Sequence, residues 1–140
     1  MKYIILYLLS FVSMKSVSQS VGRYKCVGYE KISKDKNREF LNVIDVNDGG
    51  QIVSIDFGTN KIRVFSTDDS QDLDIVSTID VYTDEFGYKW LQLSCVDKLA
   101  ARCTVRIVNY EGVKGAEHKY THGLYIDYSD ITYMYRIMED

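Results

Sequence analysis

The sequence predicts an all-β protein, either a compact antiparallel β-barrel or a two-sheet β-sandwich of about eight or nine short strands. Three observations carry this expectation. Apolar residues alternate with polar ones and are mostly β-branched or aromatic, and helical periodicity is nearly absent. The apolar runs are separated by turn signals: Asn47-Asp48-Gly49-Gly50, Gly58-Thr59-Asn60, Asp84-Glu85-Phe86-Gly87 and Glu111-Gly112. The 140 residues contain no proline, no low-complexity tract and no internal repeat, so a single domain is expected.

Residues 1–18 read as a signal peptide. Met1-Lys2 precedes an apolar run, Tyr3–Met14, and the small-residue pattern Ser16-Val17-Ser18 marks cleavage before Gln19. The run is shorter than the roughly 20 residues of a comfortable membrane span, and no second one follows. Residues 19–140 are then a single antiparallel β domain, secreted or periplasmic, with no membrane span in the mature chain. Loss of Lys2 and Lys15 takes the formal net charge from −3 to −5. That balance argues against nucleic acid, which favours a basic face, and disfavours a polybasic membrane anchor. A domain of this size buries roughly 65% of its unfolded surface, enough for one core without a metal.

The first expected strand is Arg23–Glu30, carrying Cys26 beside Val27. Lys31–Arg38 is highly charged, with Ile32 its one apolar residue, and reads as a loop or a polar helical turn. Glu39–Val46 follows. Its register stays open, because Asp48-Gly49 as a two-residue turn and a longer loop give opposite answers. Gln51–Phe57 and Ile62–Ser66 form a hairpin that pairs Phe57 with Ile62 and Ile55 with Val64 on one face, and Asp56 with Arg63 on the other.

Leu73–Thr83, Lys89–Val96 and Arg102–Tyr110 read as a meander whose register can be written out. Pairing Val81 with Leu91 and Ile79 with Leu93 leaves Gly87 at a left-handed turn position. Pairing Leu91 with Ile107 and Leu93 with Val105 completes the next hairpin. One face then carries Leu73, Ile75, Ile79, Val81, Leu91, Leu93, Val105 and Ile107, with Ser77, Cys95 and Cys103 in one row. A one-residue slip would expose all of them, so the register is well specified. Leu124–Tyr128 and Ile131–Met138 are the remaining strands. Alternation alone also permits an outer-membrane barrel with apolar residues facing lipid, although several strands are shorter than the 9–11 residues needed to span.

In an oxidising compartment the register makes Cys95 and Cys103 the natural disulfide pair and leaves Cys26 a buried, inert thiol. The opposite face of the meander has the rows Tyr82–Trp90–Val108, Asp80–Gln92–Arg106 and Thr78–Ser94–Thr104, and in the middle row each side chain can satisfy the next. Tyrosine is in excess: ten of twelve lie in the mature chain, five of them between Tyr120 and Tyr135. Strand filling accounts for most of these positions. The Tyr82–Trp90 row with Arg106 nearby is the exception, an aromatic interaction patch if no second layer covers it.

Signals for chemistry are sparse. His118 and His122 have i, i+4 spacing, which places two metal ligands on one face of a helix, but here they fall in a loop or strand end. Asp127 and Asp130 add oxygens without completing a zinc signature. Asp45–Gly50 starts like a calcium loop and then lacks the later ligands. No nucleophile–base motif is present. The expected function is therefore an exported, non-enzymatic binding or interaction module for an envelope, glycan or protein partner, using Tyr82, Trp90 and Arg106, with no cofactor and no metal. The alternative is an exported metal-dependent hydrolase using His118 and His122.

Overall fold

In the computed structural model, which describes residues 21–34, 40–67, 70–111 and 120–140, nine strands form one continuous antiparallel sheet. In chain order they are β1 (Val21–Lys34), β2 (Phe40–Asn47), β3 (Ile52–Asp56), β4 (Lys61–Phe65), β5 (Gln71–Thr83), β6 (Lys89–Asp97), β7 (Arg102–Asn109), β8 (His122–Asp127) and β9 (Ile131–Glu139). From β3 to β9 each strand pairs with the next, and β1 closes the ring by pairing with both β3 and β9. The result is a closed eight-stranded barrel with β2 as an extra strand. Of the two architectures expected, this is the barrel.

Closure follows from alternation. Val53, Ile55, Ile62, Val64, Leu73, Leu91, Leu93, Val105, Ile107, Leu124, Ile126 and Ile137 are all essentially buried and pack into one core. An eight-stranded barrel encloses an interior just wide enough for such side chains to fill. The apolar set faces inward, the reverse of the outer-membrane arrangement.

β1 is longer than expected. Its first residues pair with β3 (Val21 opposite Asp56, Lys25 opposite Ile52), and its last pair with β2 (Tyr29 opposite Asn47). The Lys31–Arg38 segment thus begins as strand as far as Lys34, and residues 35–39 lie outside the described ones. At the end of β1 the almost fully buried Lys34 ammonium pairs with the Asp127 carboxylate and donates to the Tyr128 carbonyl at 2.6 Å. Asp127 also accepts from the Thr132 hydroxyl at 2.7 Å.

The expected reversal at Asn47–Gly50 is not found. β2 and β3 do not pair with each other; both run along the same edge of β1 with a kink between them. Gly49 and Gly50 have φ of +105° and +102°, which bend the chain without turning it back. At the kink Gly50 donates to the Cys26 carbonyl at 3.0 Å and Cys26 donates to the Gln51 carbonyl at 2.8 Å. A Cβ on Gly49 would lie 2.2 Å from the Cys26 carbonyl oxygen.

Within the meander, Leu91 faces Ile107, Leu93 faces Val105 and Val81 faces Leu91, as expected. Gly87 has φ +87° at the turn. Ile79 does not face Leu93. Register shifts between Ile75 and Ser77 and between Thr78 and Asp80 place Thr78 opposite Leu93, Ser77 opposite Ser94 and Ile75 opposite Cys95. Two single-residue bulges restore the parity of the strand, so both ends keep their inward faces while Val76 and Ile79 are more than half exposed. The bulges follow the point at which β5 loses β4 as a neighbour, where an edge bends away. In the β3–β4 hairpin Ile55 faces Ile62 and Val53 faces Val64, a two-residue offset from expectation that preserves the face.

The expected disulfide is also absent. Cys95 and Cys103 lie directly opposite each other as the register requires, yet all three cysteines are free thiols. Opposed strand positions hold their Cβ atoms about 4.5–5.5 Å apart, whereas a bridge needs about 3.5–4.5 Å. Drawing β6 and β7 together would strain a packed wall. Cys103 instead shares a hydrogen bond with the Tyr128 side chain. Burial raises the thiols of Cys95 and Cys103 to about 12 and about 11, and it also raises that of Cys26. None is a ready nucleophile.

A candidate binding wall on the outside of the barrel

Because odd-numbered residues of β6 and β7 fill the barrel, the even-numbered ones project from its outer surface. Pairing across four strands aligns Tyr82, Trp90, Val108 and Gly123 in one row and Asp80, Gln92, Arg106 and Tyr125 in the next. Tyr82, Trp90 and Arg106, the three residues singled out in the sequence, are brought together here. The Tyr82 and Trp90 rings lie 7° from parallel with centroids 6.2 Å apart. The Arg106 guanidinium stands over both Trp90, at 5.7 Å, and Tyr125, at 5.0 Å. Contacts of this kind contribute about 0.5–1 kcal/mol at exposed sites and more where water is excluded.

The indole is pinned by the β5–β6 turn. One Asp84 carboxylate oxygen accepts from the Phe86 and Tyr88 amides at 2.9 and 3.0 Å; the other accepts from Trp90 Nε1 at 2.8 Å. The Trp90 bond, followed by those amides, holds the Asp84 carboxyl below its ordinary range. Gly123 completes the platform. A Cβ there would lie 2.8 Å from Val108 Cγ1 and 3.3 Å from both the Tyr110 hydroxyl and the Tyr125 ring, so the missing side chain is what lets these groups close over one another. Val108 is fully buried beneath them on the outer side of the wall. The aromatic surface continues from Tyr110, edge-on to Tyr88 and to Tyr120, as far as Arg136 over the Tyr120 ring at 5.9 Å.

Trp90 is half-buried and Tyr82 is 37% exposed. Among the described residues no second layer covers this face; Trp90 is shielded only by its neighbours. The row Asp80–Gln92–Arg106 has the expected register but a different chemistry. Arg106 engages rings and makes no ion pair among the described residues, and Asp80 accepts from the Val81 amide at 2.8 Å. Tyr125 and Asp84 were not legible as members of the site. Tyr125 is hidden behind the long segment between β7 and β8, which conceals the register of that pair.

The histidines are placed differently. His118 lies outside the described residues. His122 is 1% exposed and points into the barrel against the Tyr24 ring, 5.4 Å away and edge-on. Its Nδ1 lies 2.8 Å from the Thr121 hydroxyl, and its Nε2 is buried without a hydrogen-bond partner among the described residues. Desolvation pushes its pKa down to about 4. Asp127 is engaged by Lys34 and Thr132. Among the described residues no three histidine, cysteine or carboxylate side chains converge as a metal site. No protein-family model matches the chain, and comparison with curated proteins and with solved structures finds none similar to it.

Proposed function

We propose that this protein is an exported, non-enzymatic binding module that recognises an envelope glycan or protein partner through the outer wall centred on Tyr82, Trp90, Arg106 and Tyr125. One observation carries the reading: Arg106 stands over two aromatic rings on a barrel face that no second layer of the described residues covers, with Trp90 fixed by Asp84. Rigid amphipathic rings offer a large contact area at low entropic cost, and a guanidinium adds hydrogen-bond direction. The hydrolase alternative is disfavoured by the position of His122, whose ring is enclosed by the core and whose charged form is suppressed.

The test is a titration of the purified protein with soluble envelope glycan fragments and envelope protein extracts, read by emission of Trp90, the sole tryptophan. A saturable spectral change that Tyr82→Ala and Arg106→Gln each weaken by more than about 1 kcal/mol, the scale of an aromatic anchor, supports the proposal. If no fraction alters the emission, and Trp90→Ala costs only folding stability, the wall is packing and the proposal fails.

A further inference from the structure

At the barrel end away from the β5–β6 turn, a cavity of about 530 Å³ opens between the β4–β5 hairpin, the β6–β7 turn and the β8–β9 turn. Its size lies within the range of small-molecule sites, and the mouths of barrels are a recurrent place for them. Val64 is essentially buried at its base, and the Tyr128 and Tyr133 rings, packed edge-on at 6.2 Å, give one wall an apolar surface.

The lining keeps unused hydrogen-bonding capacity of both kinds. Two acceptors are open. Gln71, opposite Val64 in the sheet, donates from Nε2 to the Tyr135 hydroxyl at 3.0 Å, while its Oε1 is buried with no donor among the described residues. The exposed Asp130 carboxylate, in the β8–β9 turn, takes no hydrogen bond or ion pair among those residues either. A buried oxygen without a donor forfeits a bond that water would have given it, and a ligand donor restores that bond. Donor capacity lies on β4 and the β6–β7 turn. Lys98 and Arg63 stand 3.4 and 3.6 Å from Asp72, beyond the roughly 2.7–2.9 Å of a charge-assisted hydrogen bond, and their side chains are 77% and 47% exposed. Asp97 is committed: it takes the Leu99 and Ala101 amides on one oxygen and the Tyr128 hydroxyl on the other.

Charge narrows the class of ligand. An anion would meet Asp72, Asp97 and Asp130, and a cation would meet Arg63 and Lys98. A neutral hydroxyl escapes both penalties, and it alone can donate to the open acceptors and accept from the open donors. Neighbouring hydroxyls on one ring can do both at once, while the C–H face of that ring has the tyrosine wall to lie against.

We infer that this mouth is a second binding site, separate from the aromatic outer wall, for a neutral saccharide. Its hydroxyls donate to Gln71 and Asp130 and accept from Arg63 and Lys98.

The test is an NMR titration of the whole protein with methyl glucoside, methyl galactoside and methyl mannoside. It is followed at the methyl signals of Val64, Leu99 and Ile131 and at the indole N–H of Trp90, which report the two sites separately. At least one glycoside is expected to shift the mouth methyls saturably and leave the indole in place. Its amino-sugar and uronic-acid counterparts, and cyclohexanol with its single hydroxyl, should each bind at least about tenfold more weakly. Asp130→Ala, an exposed change, should weaken the glycoside about tenfold, the scale of a hydrogen bond to a charged group, and the size-conserving Gln71→Met about fivefold. Circular dichroism of each variant confirms that a lost signal is not lost fold. No response of the mouth methyls to any glycoside, a response at the indole alone, equal binding of a charged sugar or of cyclohexanol, or full affinity in either variant overturns the inference.

Discussion

His122 makes stability depend on pH in a way that can be calculated and isolated. Its folded-state pKa is about 4 against an ordinary value of 6.5, so the folded barrel holds the ring neutral while the unfolded chain protonates it below 6.5. The unfolded state therefore binds more protons throughout the window from about 6.5 to about 4, and stability falls as pH falls through it. The whole shift corresponds to about 3 kcal/mol, and between pH 7 and pH 5 about 2 kcal/mol is lost from this one side chain. Urea unfolding at both pH values, for the native sequence and for His122→Phe, reads the effect. Phenylalanine keeps a ring against Tyr24 and removes the unpartnered Nε2. Carboxylates and His118 titrate in both proteins, so the difference of differences belongs to position 122. The native chain should lose about 2 kcal/mol more than the variant. Parallel losses, or a His122 pKa near 6.5 by NMR titration, would refute the reasoning.

Two further outcomes follow from the packing. Leu93→Ala should cost roughly 2–5 kcal/mol in urea unfolding, because Leu93 is fully buried opposite Val105, while Gln92→Ala, on the outer face, should cost far less; equal costs would mean that the inward–outward alternation is wrong. Gly49→Ala should destabilise by more than the roughly 1 kcal/mol typical of a glycine change, since its φ is positive and the added methyl would meet the Cys26 carbonyl; a melting temperature equal to that of the native chain would disprove the kink between β2 and β3.

How far the fold could be read depended on whether a neighbour in sequence was also a neighbour in space. The β6–β7 pairing was legible residue by residue, because a tight turn and strict alternation leave one register. The same logic brought Tyr82, Trp90 and Arg106 together. It failed at β5, where two bulges cancel in parity and leave no trace in the pattern beyond the adjacent apolar pair Ile75-Val76. It failed again at Gly49-Gly50, because positive-φ glycines serve a kink as well as a reversal. Tyr125 and Lys34 act through partners far away in the chain, the first beside Arg106 and the second beside Asp127, and no local rule reaches them. The absent disulfide shows the limit of register itself: it places two cysteines opposite each other without saying whether the wall can contract.

The ring is joined through its first and last described strands. Tyr24 lies opposite Glu139 and Ser33 opposite Ile131, so each closing hydrogen bond spans most of the chain. Contacts this distant carry a large loop-closure entropy that no hairpin repays in advance. The consecutive hairpins from β3 to β9 can form early and locally, whereas the β1–β9 seam must wait for the whole meander to curl. Folding should accordingly fall on the slow, millisecond-to-second side of small domains. During that interval β1 and β9 both present unpaired edges, open to association with other chains, and the time the protein spends as an unclosed sheet sets its exposure to aggregation.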